Sequence, residues 1–201
     1  RQKPNMKVLQ VIPSISPQLG GPTRAILNLS KNLQEYGVDV QILTTNDDAN
    51  LCLDVPLLKP TIYKGLKVTF LPRTFRAKEF IYAHDLGKWH QKHLEAFDIV
   101  HTHYIFSYLS SWTAYAARKQ SIPYLMRPLG QLTPWALSQS SLKKKLYRKV
   151  IEDKNLQQAQ MIHCTSPGEV EDVCRLGFQT PKLCLPLGVE LLKLKRTHAR
   201  S

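Results

Sequence analysis

Short apolar runs of β type recur along the chain, and between most of them lies a stretch with helical periodicity. KVLQVI, VDVQILTT, KVTFLP, DIVHTHYI, IPYLMRP and MIHCTS mark the runs. Strands joined through helices pair in parallel, and a parallel sheet needs cover on both faces. The expected architecture is therefore α/β: one doubly wound, mostly parallel sheet with helices on both faces. A chain of 201 residues with 43% hydrophobic content suffices for one such domain.

The elements follow from period and punctuation. Strands are expected at Lys7 to Ile12, Val38 to Thr45, Lys67 to Leu71, Asp98 to His103, Ile122 to Arg127 and Met161 to Thr165, with KLCLP as the last. The first helix should run from Pro22 to Tyr36, with Ile26, Leu29, Leu33 and Tyr36 inward, Pro22 at the favoured first position and Gly37 past the end. Further helices are expected over Asp85 to Phe97, around Leu109, Trp112 and Ala116 as inward residues, over Ser141 to Gln158, and over Gly168 to Arg175. Asn46 to Gly65 has no clear period, so its conformation stays open.

Charge is the outlier of the composition. Residues 1–100 carry 13 Lys and Arg against 9 Asp and Glu, for +4, and residues 101–201 carry 15 against 6, for +9. The excess gathers in LKKKLYRKV and in the tail KLKRTHAR. Such a surface favours an anionic partner. In the first of these segments Leu142, Leu146 and Val150 form an i, i+4, i+8 stripe beside Lys143, Lys144, Lys145, Arg148 and Lys149. That pattern suits either a solvated surface helix or contact with an anionic membrane. Nucleic acid is not expected as a partner, because the cations occupy one helix and a tail without a stacking platform or a helix-turn-helix pattern.

No apolar run approaches the roughly 20 residues of a membrane span. The N-terminal segment does not read as secretory, so a cytoplasmic location is expected. Cys52, Cys164, Cys174 and Cys184 lack the close spacings of a zinc site and are expected to be ordinary buried thiols.

In a doubly wound sheet, ligands collect beyond the carboxyl ends of the strands. The turn after the first strand holds Gly20 and Gly21, which let a ligand approach bare backbone, and the helix start behind them favours an anion. Arg24 in the first helical turn adds a positive charge. The spacing is not G-x-G-x-x-G, so the dinucleotide fingerprint is absent. His101 and His103 share one strand face, either as a structural pair or as functional residues. Arg127 ends a buried strand, where a guanidinium needs a partner or a ligand. Glu169 opens a helix, where a carboxylate complements the helix dipole.

Taken in serial order, GGPTR, DIVHTH, RPLGQLTPWAL, CTSPGEV and LPLGVE resemble the amino-terminal half of group 1 (family 4) glycosyltransferases, over about Met6 to Glu190. The resemblance implies one Rossmann-like domain of the two-domain glycosyltransferase-B architecture. It implies transfer of a hexose from a nucleotide-sugar donor to a saccharide or lipid-linked acceptor, with retention and without a metal or other cofactor. By that likeness Gly20, Gly21 and Arg24 approach the donor diphosphate, His103 faces the transferred sugar, and Arg127 and Glu169 serve the acceptor. RPLG departs from the family's Pro-Arg-Gly-Met-Leu order, and Leu187 stands where Asn is usual.

On this reading residues 1–190 form the acceptor-side domain and 191–201 a basic tail, with the donor-binding domain absent and the isolated chain inactive. Two other readings stand beside it: a basic module that binds anionic lipid or glycan without chemistry, and a nucleotide-sugar epimerase of the same architecture.

Overall fold

The computed structural model describes residues 6–77, 80–139, 142–186 and 188, without the side chains of Lys143 and Lys144. The expected end of the domain at 190 and the tail 191–201 lie outside the described residues. The strand β1 (Lys7–Ser14) leads through a single 3-10 turn into α1 (Gly21–Glu35), and β2 (Asp39–Thr45) follows. The segment left open resolves into a hairpin of β3 (Asp47–Asp48) and β4 (Leu51–Cys52), then β5 (Pro60–Tyr63). Next come β6 (Leu66–Leu71), the hairpin β7 (Phe75–Ala77) and β8 (Phe80–Tyr82), α2 (Leu86–His93), β9 (Ile99–His103), α3 (Tyr108–Lys119) and β10 (Tyr124–Arg127).

After a short α4 (Pro134–Ser138), α5 (Leu142–Tyr147) passes through a π turn at Arg148–Glu152 into α6 (Asp153–Gln158). β11 (Met161–Cys164), α7 (Pro167–Arg175) and β12 (Lys182–Cys184) complete the described chain.

Eight strands form one sheet in the order β12-β11-β10-β9-β1-β2-β6-β5. All neighbours pair in parallel except β5, which runs antiparallel on β6. This is the doubly wound sheet expected, and its order reverses at β1, between β2 and β9. Each face carries its own apolar cluster. Ile12, Ile42, Val68 and Phe70 pack with Ile26 and Leu27 of α1 on one side. Leu9, Val11, Val100, Met126 and Ile162 pack on the other side with Trp89 of α2, Leu109 of α3, Leu156 of α6 and Val173 of α7.

Two helix faces differ from expectation. In α1 the buried residues are Thr23, Ala25, Ile26, Leu27 and Ser30, whereas Leu29 and Leu33 are half-buried and Tyr36 is 88% exposed. Small hydroxyl residues allow the helix to lie close to the sheet, and Thr23 donates to the Ser16 carbonyl at 3.2 Å. In α3, Leu109 points inward as expected and Ala116 is half-buried against the core, but Trp112 is exposed, because Ser110, Thr113, Ala114 and Ala117 make most of the contact. In α3 small side chains won over the large Trp112, and in α1 Leu27 with Thr23, Ala25 and Ser30 joined Ile26 in place of Leu29, Leu33 and Tyr36. The cysteines also depart from expectation: Cys164 is buried, while Cys52, Cys174 and Cys184 are exposed free thiols.

Candidate functional site

Because β10, β9 and β1 are adjacent and parallel, the turns that follow them emerge at one edge of the sheet. This edge is also where the strand order reverses, the usual place for a ligand crevice in an open α/β sheet.

The turn after β1 is stiffened from within. Ser16 caps its 3-10 turn by accepting from the Gln18 amide at 3.1 Å, and its hydroxyl also donates to Asp48. Ser14 donates to the Asp47 carbonyl at 2.8 Å. Asp47 is itself held by Arg73 at 2.9 Å and by Arg76, so the β3-β4 hairpin braces the turn. Gly20 has φ +65° and ψ −120°, a conformation that side chains with a Cβ disfavour. Nothing lies within 4 Å of where a Cβ would stand on Gly20 or on Gly21. Arg24 is exposed one turn further on.

One sheet face at this edge is polar. Register pairs Gln10 with His101 and His103 with Arg127, so these side chains rise on the same face, and His163 of β11 joins them. Ring centroids of His101 and His103 are 4.3 Å apart, and those of His101 and His163 are 5.3 Å apart. All are buried: His103 is 0% and Arg127 2% exposed.

Hydrogen bonds fix the ring tautomers. The Leu185 carbonyl accepts from His163 Nε2 at 2.9 Å, so in the neutral ring Nδ1 is the acceptor, and His101 Nε2 donates to it at 3.3 Å. His103 Nε2 donates to Gln10 Oε1 at 2.6 Å, which leaves Nδ1 as a lone-pair acceptor. That Nδ1 is buried with no partner among the described residues, and so is the Nε of Arg127. A donor and an acceptor thus stand unmatched on register neighbours.

Burial holds His101 and His103 well below the ordinary histidine value, and the nearby histidines and Arg127 add to it. Burial also lowers His163. These rings are neutral at pH 7. Arg127 is pushed down to about 10 by burial, against the pull of Tyr104 and Glu169, and keeps its charge.

Glu169 is fully engaged by protein donors. The amide of Gly130 donates to Oε1 at 2.7 Å, and the amide and hydroxyl of Thr165 donate to Oε2 at 2.6 and 2.8 Å. It ties the turn after β10 to the turn after β11.

The basic helix lies apart from the polar seam. Leu142, Leu146 and Val150 are 85%, 65% and 59% exposed, as are Lys145 and Lys149 in kind, while Arg148 pairs with Asp153 at 3.3 Å. The side chains of Lys143 and Lys144 lie outside the described residues. The π turn rotates Glu152 inward, where it is 0% exposed. Glu152 accepts from the Phe106 amide at 2.9 Å and from the Ser111 hydroxyl, which anchors the loop after β9. Burial raises it to about 7, against those two hydrogen bonds.

Gln10 and His163 were not singled out from the sequence. Each interrupts an apolar strand with a polar residue, and that interruption was the available signal. Among the described residues no group of three or more His, Cys, Asp or Glu could hold a metal ion. No described helix is long and apolar enough to cross a membrane.

Residues 20–188 match the family described as Glycosyl transferase 4-like domain. No curated protein matches the chain. Among solved structures, sucrose-phosphate synthase from Thermosynechococcus elongatus superposes with a TM-score of 0.65 at 18% identity, covering 92% of this chain and 49% of that one. A shorter structure of the same synthase gives 0.56 at 20% identity, covering 92% and 91%. The likeness shows the fold, and this chain spans about half the length of the full synthase.

Proposed function

The chain belongs to the glycosyl transferase 4-like family, and on that premise we propose that it forms the acceptor-side lobe of a retaining hexosyltransferase. The donor is a nucleotide sugar whose nucleotide is held by a second lobe facing this edge. The acceptor is a saccharide or a lipid-linked saccharide. The observation that carries the reading is the unmatched pair on neighbouring strands, the Nδ1 of His103 and the Nε of Arg127. A sugar hydroxyl both donates and accepts, so it matches the chemistry of the pair; because both atoms are buried, it would reach them only once the crevice edge opens.

In this reading His103 orients the sugar and does not act as a general base. Arg127 supplies charge to developing negative charge on the leaving diphosphate or holds an anionic group of the acceptor. Gly20 and Gly21 let the diphosphate reach bare amides, with Arg24 reinforcing the attraction. Glu169 contributes by fixing the turn after Arg127. No metal is required, because backbone and guanidinium take the charge. Alone, this lobe leaves the crevice open to water on one side and is inactive.

The test pairs this lobe with a donor-binding wall. Mixing the chain with donor-binding domains of this family and radiolabelled nucleotide sugars should restore transfer, and H103Q and R127K should lower it about a hundredfold with circular dichroism unchanged. Transfer in no combination would overturn the reading.

The exposed row Leu142, Leu146 and Val150 favours a second element of function. Apolar side chains flanked by cations suit the interface of an anionic membrane, and we read α5 as a peripheral contact with the inner membrane face that brings the crevice to a lipid-linked acceptor.

A further inference from the structure

Away from the polar seam, α3 presents a row of aromatic side chains of which Tyr108 packs in part against the core. Tyr108, Trp112 and Tyr115 stand at i, i+4 and i+7 and so share a helical face. Their ring centroids are 6.1 Å apart for Tyr108 and Trp112 and 5.3 Å apart for Trp112 and Tyr115. The inward face of this helix is formed by Leu109, Thr113, Ala114 and Ala117, and Trp112 is 37% exposed. The row extends onto β8, where Tyr82 lies 4.6 Å from Tyr108.

Tyr108, Trp112 and Tyr115 border a groove of about 280 Å³ between α2 and α3, with Gln91, Lys119 and Gln120 also in its lining. Its direction follows from the topology. α3 leaves the carboxyl end of β9 and α2 leads back to the amino end of β9, so both helices start at the crevice edge. The groove therefore begins at Tyr108, five residues after His103, and runs away from the crevice down the outer layer.

We propose that this groove is a second saccharide site, holding the part of a glycan acceptor that lies beyond the reacting sugar. The inference rests on the glycosyltransferase reading above. A pyranose ring has an apolar C–H face and a rim of hydroxyls, and both sides of that chemistry are present. The rings, tilted to one another, offer apolar contact, and the amide of Gln91, the amide nitrogen of Gln120 and the ammonium of Lys119, which also lies 5.8 Å over the Tyr115 ring, offer polar groups at the rim. A lipid chain would use the rings and leave those polar groups idle. The volume, just under the roughly 300–1,000 Å³ of small-molecule sites, suits a short sugar segment.

The experiment is an NMR titration of the intact chain with the methyl glycosides of glucose, galactose and mannose, and with 1-hexanol as an apolar chain without a ring. Each is taken to about 100 mM, which reaches millimolar affinities. At least one glycoside should shift the Trp112 indole resonance and the α3 amides saturably. W112A and Y115A should weaken the α3 response about tenfold, W112F should retain it within about threefold, and H103Q should leave it within about twofold. No response to any glycoside, a response indifferent to Y115A, or hexanol binding as tightly as the glycosides would overturn the proposal. Since H103Q spares this binding, a failed transfer assay bears on the crevice and a failed titration on the groove.

Discussion

Gly20 and Gly21 stand side by side yet make different demands on the backbone. Gly20 adopts φ +65°, while Gly21 has an ordinary helical start and open space where a Cβ would project. G20A should therefore cost on the order of 1–3 kcal/mol in denaturant unfolding, and G21A should leave stability within about 0.5 kcal/mol. If Gly21 admits a diphosphate, G21A should still weaken nucleotide-sugar use in the reconstituted enzyme. The glycine pair was legible as a turn. Which glycine carries the unusual dihedral was not, because that depends on how Ser14, Ser16 and the β3-β4 hairpin pull on the loop. His103 and Arg127 were legible singly, whereas their partnership needed the register of β9 on β10.

At the scale of elements, the helix from α5 through α6 joins two unlike surfaces. Its first turns expose Leu142, Leu146 and Val150, and its π turn buries Glu152 against the loop that follows His103. A π turn inserts a residue and so rotates the face that follows it; here it lets a helix with an exposed apolar stripe also carry a buried carboxylate. Membrane contact by α5 makes a simple prediction. The chain should sediment with anionic vesicles at low salt and release at high salt, since each basic residue near the surface contributes about 1 kcal/mol. The pair L142S and L146S should lose most of the binding without loss of fold, because both side chains are exposed; binding that persists in that variant would remove α5 from the contact.

The strands and helices themselves were read closely from period and punctuation, to within a few residues at their ends. The β3-β4 and β7-β8 hairpins, the edge strand β5 and the short α4 were not, since elements of two to five residues are too short to show a period. Helix faces were misread in part for a related reason: the sequence rule rewards large apolar residues, whereas α3 packs on the sheet mainly through Ser, Thr and Ala and α1 mixes Thr23, Ala25 and Ser30 with Ile26 and Leu27.

Across the whole molecule, buried titratable groups set an opposition in the response to pH. Burial lowers His101, His103 and His163, and takes His90 to about 4. The unfolded chain binds protons at these sites near pH 6.5 when the folded one does not, so their effect is a loss of stability as pH falls below about 6.5. Glu152 acts in the other direction. Its folded value of about 7 exceeds the unfolded one, so its protonated form favours the fold at low pH and this contribution is lost as pH rises through 7. Four histidines outweigh one glutamate. Thermal midpoints should fall from pH 7 to pH 5, and E152Q, which removes the opposing term, should make that fall steeper while losing least at pH 8. An acid response that is flatter in E152Q than in the native chain would contradict this assignment.

Local chemistry determined much of this protein. Alternating periods set a parallel sheet covered on both faces, turn residues set where strands stop, and the serial order of GGPTR, DIVHTH and CTSPGEV carried the family. Tertiary structure decided what meets what. Gln10, His103, Arg127 and His163 are spread over some 150 residues of sequence and become neighbours only when β1, β9, β10 and β11 pair in register. Pairing between distant strands depends on the free energy of the assembled sheet, which no local pattern contains, so the crevice chemistry and the aromatic groove became visible only in the folded chain.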